Sequence, residues 1–288
     1  MKIVFTKMEG CGNDYVYING AEVKIEKELK PDLVRFLSDR HFGIGSDGVI
    51  FINPAENADF EMEMWNADGT RAQMCGNGMR SVAKYVYDKH LTDKKDLKIV
   101  SYGSIKDVTV YDKNGKADLI KVNMGAPILD SKAIPVISSS ETVVDELLCT
   151  DDKDYHITCV SMGNPHAVIF MDPDSIDIEK TGPVIENHSR FPERVNTEFV
   201  KVTDRSNINM RVWERGTGET LACGTGCCAS VVACILNGLT DDKVTVHVRG
   251  GDIIVEWDRA SDTVYMTGPA RIVFEGEIEY DQDKQELS

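Results

Sequence analysis

Two cysteines of this chain stand in the same small setting. Cys75 opens "CGNGMRSVAKYV" and Cys223 opens "CGTGCCASVVAC", each a Cys-Gly-x-Gly leading into a helix-like run. A thiol at the first turn of a helix lies beside unpaired backbone N–H groups and the positive end of the dipole, which can draw its pKa from ~8.5 toward roughly 3.5–7.5. It can then act as a base or nucleophile near neutral pH. The same amides, which the glycines leave approachable, form a seat for a carboxylate. Two such groups on opposite sides of a small carboxylate have one obvious use. Removing an α-proton from one face and returning a proton to the other inverts the stereocentre, and reversibility asks for one thiolate and one thiol.

The elements around the cysteines repeat as well. A shift of 148 residues lays Cys75 on Cys223, Gly76 on Gly224, Gly78 on Gly226 and Trp65 on Trp213. It also lays Asn66-Ala67 on Glu214-Arg215. A shift of 151 lays "GNDYVYI" over "GNPHAVIF". Each half therefore reads as a Gly-Asn turn, a series of short strands, and a helix that starts at Cys-Gly-x-Gly. After Cys75 the residues Met79, Val82, Ala83, Val86 and Tyr87 form one apolar stripe, whereas "CCASVVACIL" is apolar all round and suits a buried helix. "PDLVRFLSD" predicts a further helix with Pro31 in its first turn. The fold class is α+β, two domains facing one another, with a boundary near "VNMGAPI" at 122–128.

Bulk properties narrow the function. A length of 288 residues allows two domains of about 140, each with its own core. The net charge of −16 argues against a nucleic-acid partner, which needs clustered Lys and Arg. Neither a signal-peptide core nor ~18 consecutive apolar residues is visible, so the expectation is a cytoplasmic protein without a membrane partner. The eight cysteines read as free thiols. Cys149, Cys159, Cys227, Cys228 and Cys234 read as small buried hydrophobes. Zinc or dithiol redox chemistry would call for C-x-x-C or H-x3-5-H spacing, so no metal is expected. A papain-like site with His166 would leave the second cysteine idle. The glycine pattern does not suit a dinucleotide. Nothing invokes pyridoxal phosphate, and no cofactor is expected.

With these residues in view, the chain resembles the diaminopimelate epimerases, a family of pyridoxal-independent amino-acid epimerases. The likeness runs through "KMEGCGNDYVYI", "RHFGIGSDG", "WNADGTRAQMCGNGMRSVAKYV", "VSMGNPHAV", "GPVIENHSRFPERVNTEFV", "RVWERGTGETLACGTGCCAS" and "MTGPA". It implies two pseudo-symmetric domains, residues 1–122 plus 270–288 and residues 123–269. Each would be a curved mixed or antiparallel sheet wrapped around a central helix, with the active site in the cleft between domains. The implied reaction converts LL-diaminopimelate to the meso form for lysine and cell-wall synthesis.

By the same resemblance Cys75 and Cys223 are the acid/base pair, tuned by His166 and Glu214. Asn13, Asn66, Gly76, Asn77, Asn164, Asn196, Glu214, Arg215, Gly224 and Thr225 match substrate-binding positions, with Arg215 a clamp for a carboxylate. Some members carry Gln where this chain has Gly48, which removes one contact to the distal end of the substrate. The partner is a small amino acid, and a homodimer is compatible with the sequence. The alternatives are a racemase of another amino acid such as histidine, or a non-catalytic amino-acid-binding or thiol-sensing protein. A binder would not need two thiols. Paired thiols flanking one carbon would also be open to oxidation to an inactive disulfide.

Overall fold

Alternating or continuously apolar runs of six to eleven residues dominate the chain, and they pair into sheets built the same way twice. The computed structural model describes residues 1–72, 76–151, 153–281 and 286–287. It divides into two units, Met1–Val122 with Gly268–Ser288, and Asn123–Thr267.

The first unit contains β1 (Lys2–Gly10), β2 (Asn13–Asn19), α1 (Lys30–Ser38), β3 (Gly48–Asn53), β4 (Phe60–Asn66), α2 (Gly76–Asp88), β5 (Asp96–Ser101), β6 (Ser104–Lys113) and β7 (Lys116–Gly125). Strand β1 is antiparallel to β2, β2 parallel to β3, β3 antiparallel to β4 and β4 parallel to β5, and β5, β6 and β7 then form an antiparallel meander.

In the second unit β8 (Glu146–Cys149), β9 (Asp154–Ser161), β10 (Pro165–Phe170), α3 (Ile178–Glu186), β11 (Asn196–Asp204), β12 (Asn207–Glu214), β13 (Gly218–Thr220), α4 (Gly224–Leu236), β14 (Lys243–Val248), β15 (Gly251–Asp258) and β16 (Thr263–Gly268) follow. The senses from β9 through β10, β11, β12, β14 and β15 to β16 repeat those from β1 to β7. The chain then returns as β17 (Arg271–Asp281), antiparallel to β1. The class is α+β, with mixed sheets and few helices.

Each parallel pair needs a crossover, and each crossover carries a helix. Helices α2 and α4 sit inside their sheets: α2 packs on β1, β2, β6 and β17, and α4 on β9, β10, β11, β14 and β15. Helices α1 and α3 cover the opposite sides of β3–β4 and β11–β12. Val16, Ile18, Val49 and Phe51 meet Leu33, Val34 and Leu37 of α1, and Phe199 and Ala167 meet Ile178 and Ile185 of α3.

Three local features differ from the sequence reading. Helix α2 is not merely striped: Asn77, Arg80, Ser81 and Asp88 are buried along with Met79, Val82, Ala83 and Val86, because the sheet wraps it. Tyr87 stays half-buried. Helix α3 carries Pro183, which hides it from a propensity reading; Asp177 caps it by accepting from Lys180 N, and a Cβ on Gly182 would lie 2.3 Å from the Trp213 ring. Cys149 is exposed at the end of β8 rather than buried. None of the seven described cysteines forms a disulfide with another described residue.

Candidate functional site

In the second unit a buried cluster forms around the start of α4. Cys223 is the extended N-cap residue of this helix, and its carbonyl accepts from Cys227 N at 2.9 Å. Its thiol lies 3.5 Å from Thr225 Oγ1 and takes a hydrogen bond from Gly226 N–H. The side chain is nearly inaccessible. Glu214, at the end of β12, hydrogen-bonds the thiol through its carboxylate and is itself held by the Thr220 hydroxyl from β13.

The environment reverses the expectation of a thiol activated by the helix dipole. Burial, and then the negative charges of Glu214 and Glu198, push Cys223 well above the usual thiol range. Burial also raises Glu214, against the hydrogen bonds from Thr220 and Cys223. A helix terminus supplies about half a positive charge, and two carboxylates in a dry site outweigh it. These surroundings favour the neutral thiol at Cys223.

His166 and Glu198 complete the cluster. Both are fully buried, with His166 Nδ1 2.6 Å from Glu198 Oε1 and Nε2 3.0 Å from Asn164 Oδ1. The parallel pairing of β10 with β11 brings them together, through His166↔Asn196 and Val168↔Glu198. Glu198 escaped the sequence reading, although a carboxylate inside the buried run Asn196–Val200 is the signal that could have found it.

Asn196 acts as a tie between two loops. Its Nδ2 donates to Pro165 O at 2.8 Å and its Oδ1 accepts from Arg215 N at 2.9 Å, leaving one N–H and one lone pair for a ligand. Arg215 lies in the turn from β12 to β13, with Nη1 on Glu193 O at 2.8 Å. That turn is anchored by buried Glu186 at the end of α3, which accepts from Gly216 N and Trp213 Nε1 and pairs with Arg194. Glu186 is a second residue that spacing did not reveal.

In the first unit Asn13 opens β2, Asn66 closes β4, and Gly76 and Asn77 open α2; Cys75, which precedes Gly76, lies outside the described residues. Asn13 Nδ2 donates to Asp47 Oδ2 at 2.8 Å, and Asp47 also accepts from Asp14 N and pairs with Arg40. Lys7 and Arg40 hold Asp14 below the usual carboxylate range against the opposing effect of burial, which is the largest single influence on it. Asn66 Nδ2 donates to Thr70 Oγ1 at 3.1 Å. Asn77 Oδ1 is a buried acceptor without a partner among the described residues, an orphan that a ligand N–H would satisfy.

Gly48 is fixed by geometry rather than by a missing side chain alone. A Cβ there would meet Trp65 O at 2.0 Å, so this backbone has no room for a glutamine. Arg80, the largest fully buried side chain, donates from Nε to Pro269 O at 3.1 Å and points Nη2 at Cys11 Sγ, 3.7 Å away.

A sheet wrapped twice around a buried helix is a fold found in solved racemases, epimerases and isomerases. The chain superposes on a phenazine biosynthesis protein of the PhzF family from Bacillus anthracis with a TM-score of 0.70 at 15% identity, over 97% of this chain and 99% of the other. A hydroxyproline epimerase from Agrobacterium vitis gives 0.68 at 12% identity, covering 96% and 92%. Sequence narrows the class. The diaminopimelate epimerase family model matches residues 5–129 and 158–273. The diaminopimelate epimerase of Agathobacter rectalis is 52% identical, over 96% of this chain and 99% of its own length. That of Methanococcus maripaludis strain C5 is 50% identical, over 96% and 99%. This chain belongs to the diaminopimelate epimerase family.

Among the described residues, no helix is long and apolar enough to cross a membrane.

Proposed function

We propose that this protein epimerises LL-diaminopimelate to the meso form without a cofactor, using Cys75 and Cys223 on opposite faces of the α-carbon. The observation that carries the two-thiol part is the environment of Cys223: a thiol at a helix start, its neutral form favoured by burial and two carboxylates. Such a group cannot take a proton at rest but can give one. Its counterpart must then be the base, and Cys75 at the matching start of α2 is the residue for it. In the forward direction the Cys75 thiolate removes the α-proton while the Cys223 thiol protonates the opposite face; the resulting Cys223 thiolate and Cys75 thiol are the pair the reverse direction needs.

Other features support binding of an amino acid with a second charged end. The amides at the starts of α2 and α4, through Gly76, Asn77, Gly224 and Thr225, suit the α-carboxylate. Asn77 Oδ1, unpartnered among the described residues, suits a ligand N–H donor. Asn13, Asn66, Asn164, Asn196 and Arg215 are assigned to the rest of the substrate, with Arg215 on the distal carboxylate. His166 and Glu214 set which thiol is charged. The product serves lysine and cell-wall precursor synthesis. A cytoplasmic homodimer is the companion expectation, checked by fractionation and light scattering.

The test is incubation of the reduced protein with LL-diaminopimelate in D2O, following meso product and α-deuterium. Labelled meso product from the parent, lost in Cys75→Ala and in Cys223→Ala, supports the reading. Retained α-hydrogen with both thiols reduced overturns it, and turnover of histidine alone would reassign the substrate.

A further inference from the structure

We propose that Glu198 is a positioning residue for catalysis: its buried carboxylate holds the proton of His166 on Nδ1 and thereby turns Nε2 toward Asn164 and the reacting end of the site. This rests on the reading of His166 as a tuner of the reaction.

The geometry pairs the two groups directly. With Glu198 as a carboxylate, which only accepts, the separation of 2.6 Å between its Oε1 and His166 Nδ1 assigns the hydrogen to Nδ1. In the neutral ring Nε2 is then the lone-pair nitrogen, and Asn164 presents its amide N–H. In the charged ring Nε2 donates to Asn164 Oδ1 at 3.0 Å. Either way, one side-chain amide and one ring nitrogen face each other in a single register.

Three observations set this carboxylate apart from a structural one. Its Oε2 is buried with no hydrogen-bond partner among the described residues, a desolvation cost that an apolar side chain would not carry. The matching strand position in the first unit, reached through the parallel registers Tyr17↔Ile50 and Val168↔Glu198, is the fully buried Ile50, so the architecture is served there by a hydrocarbon. Third, the carboxylate occupies the space beside Gly226, where a Cβ would lie 2.6 Å from Glu198 Oε1. The second glycine of the Cys-Gly-x-Gly thus accommodates Glu198 as well as the helix start, tying His166 to the turn that carries Cys223.

The experiment compares the wild type with Glu198→Gln and Glu198→Asp. Imidazole 15N shifts report the tautomer of His166, assigned by difference against His166→Gln, alongside kcat and KM for LL-diaminopimelate. The wild type should show a protonated Nδ1. Glu198→Gln, whose amide can donate or accept, should lose that single tautomer and lower kcat by about tenfold or more with KM within about twofold. Glu198→Asp should recover part of kcat. An Nε2-protonated neutral ring in the wild type overturns the proposal. So does a natively folded Glu198→Gln with kcat within about twofold of the wild type. Should Glu198→Gln not fold, the wild-type tautomer and Glu198→Asp decide. Should the wild type fail to turn over this substrate, the functional reading falls, while the nitrogen shifts still decide the role of Glu198.

Discussion

The two units share one strand order and differ in what they bury beside the helix start. Where the second unit has His166, Asn196, Glu198, Glu214 and Arg215, the first has Tyr15, Gly48, Ile50, Asn66 and Ala67 at the matching positions. Where the first has buried Arg80 on α2, the offset of 148 residues gives Cys228 on α4. The start of α4 therefore lies in the field of two carboxylates, while Arg80, one turn into α2, directs its guanidinium to Pro269 O and Cys11 Sγ. A negative field favours a neutral thiol. Duplication supplies two equivalent frames, and the side chains buried in them make the frames unequal.

The sharpest way to break this comparison is to remove charge from one unit only. Glu214→Gln is expected to lower kcat about 10²–10³-fold, since it removes the carboxylate bonded to Cys223. Asn66→Ala, its counterpart, should mainly raise KM, by about tenfold, and steady-state kinetics in both directions separates the two. Equal losses of kcat would mean that the units act alike.

A second pair tests the anchors of the two tryptophans. Trp213 and the Arg215 turn hang on Glu186, whereas Trp65 donates to Glu63 on its own strand at 3.0 Å. Glu186→Gln should raise KM about tenfold by loosening Arg215, and Glu63→Gln should change it by less than about threefold. A smaller effect of Glu186→Gln than of Glu63→Gln would count against Arg215 as the distal clamp.

Backbone packing gives a third pair. Gly48→Ala drives a Cβ onto the Trp65 carbonyl, and about 1–3 kcal/mol of stability should be lost in urea unfolding. Gly115→Ala meets nothing within 4 Å and carries only the cost of its positive φ, about 1 kcal/mol. Equal midpoints would show that the β3–β4 approach is softer than its geometry.

The smallest effect concerns pH. Burial pushes Cys159 and Cys234 up to about 12. Their folded values lie above the ordinary thiol value of ~9, so their contribution is intact below that pH and is lost as pH rises toward 12. Urea midpoints should fall between pH 9 and 11, less so in Cys234→Ala. At pH 7.5, mass spectrometry after brief alkylation should find exposed Cys149 modified and Cys159, Cys223 and Cys234 intact.

The sequence by itself determined the repeat, the α+β class, the helices starting at Gly76 and Gly224, and the neighbourhood of Cys223. Glycine spacing and apolar period are local properties, and local properties survive in a string. Only the tertiary structure decided the burial and the carboxylate neighbours that raise Cys223. Glu198 is 25 residues from it in sequence and reaches it through the parallel pairing of β10 with β11 under α4. Helix α3 and Glu186 were likewise out of reach, because Pro183 masks the helix and the Trp213 ring that fits Gly182 comes from another strand. Burial belongs to the whole fold, and at Cys223 burial and two neighbouring carboxylates raise the thiol where its motif alone points the other way.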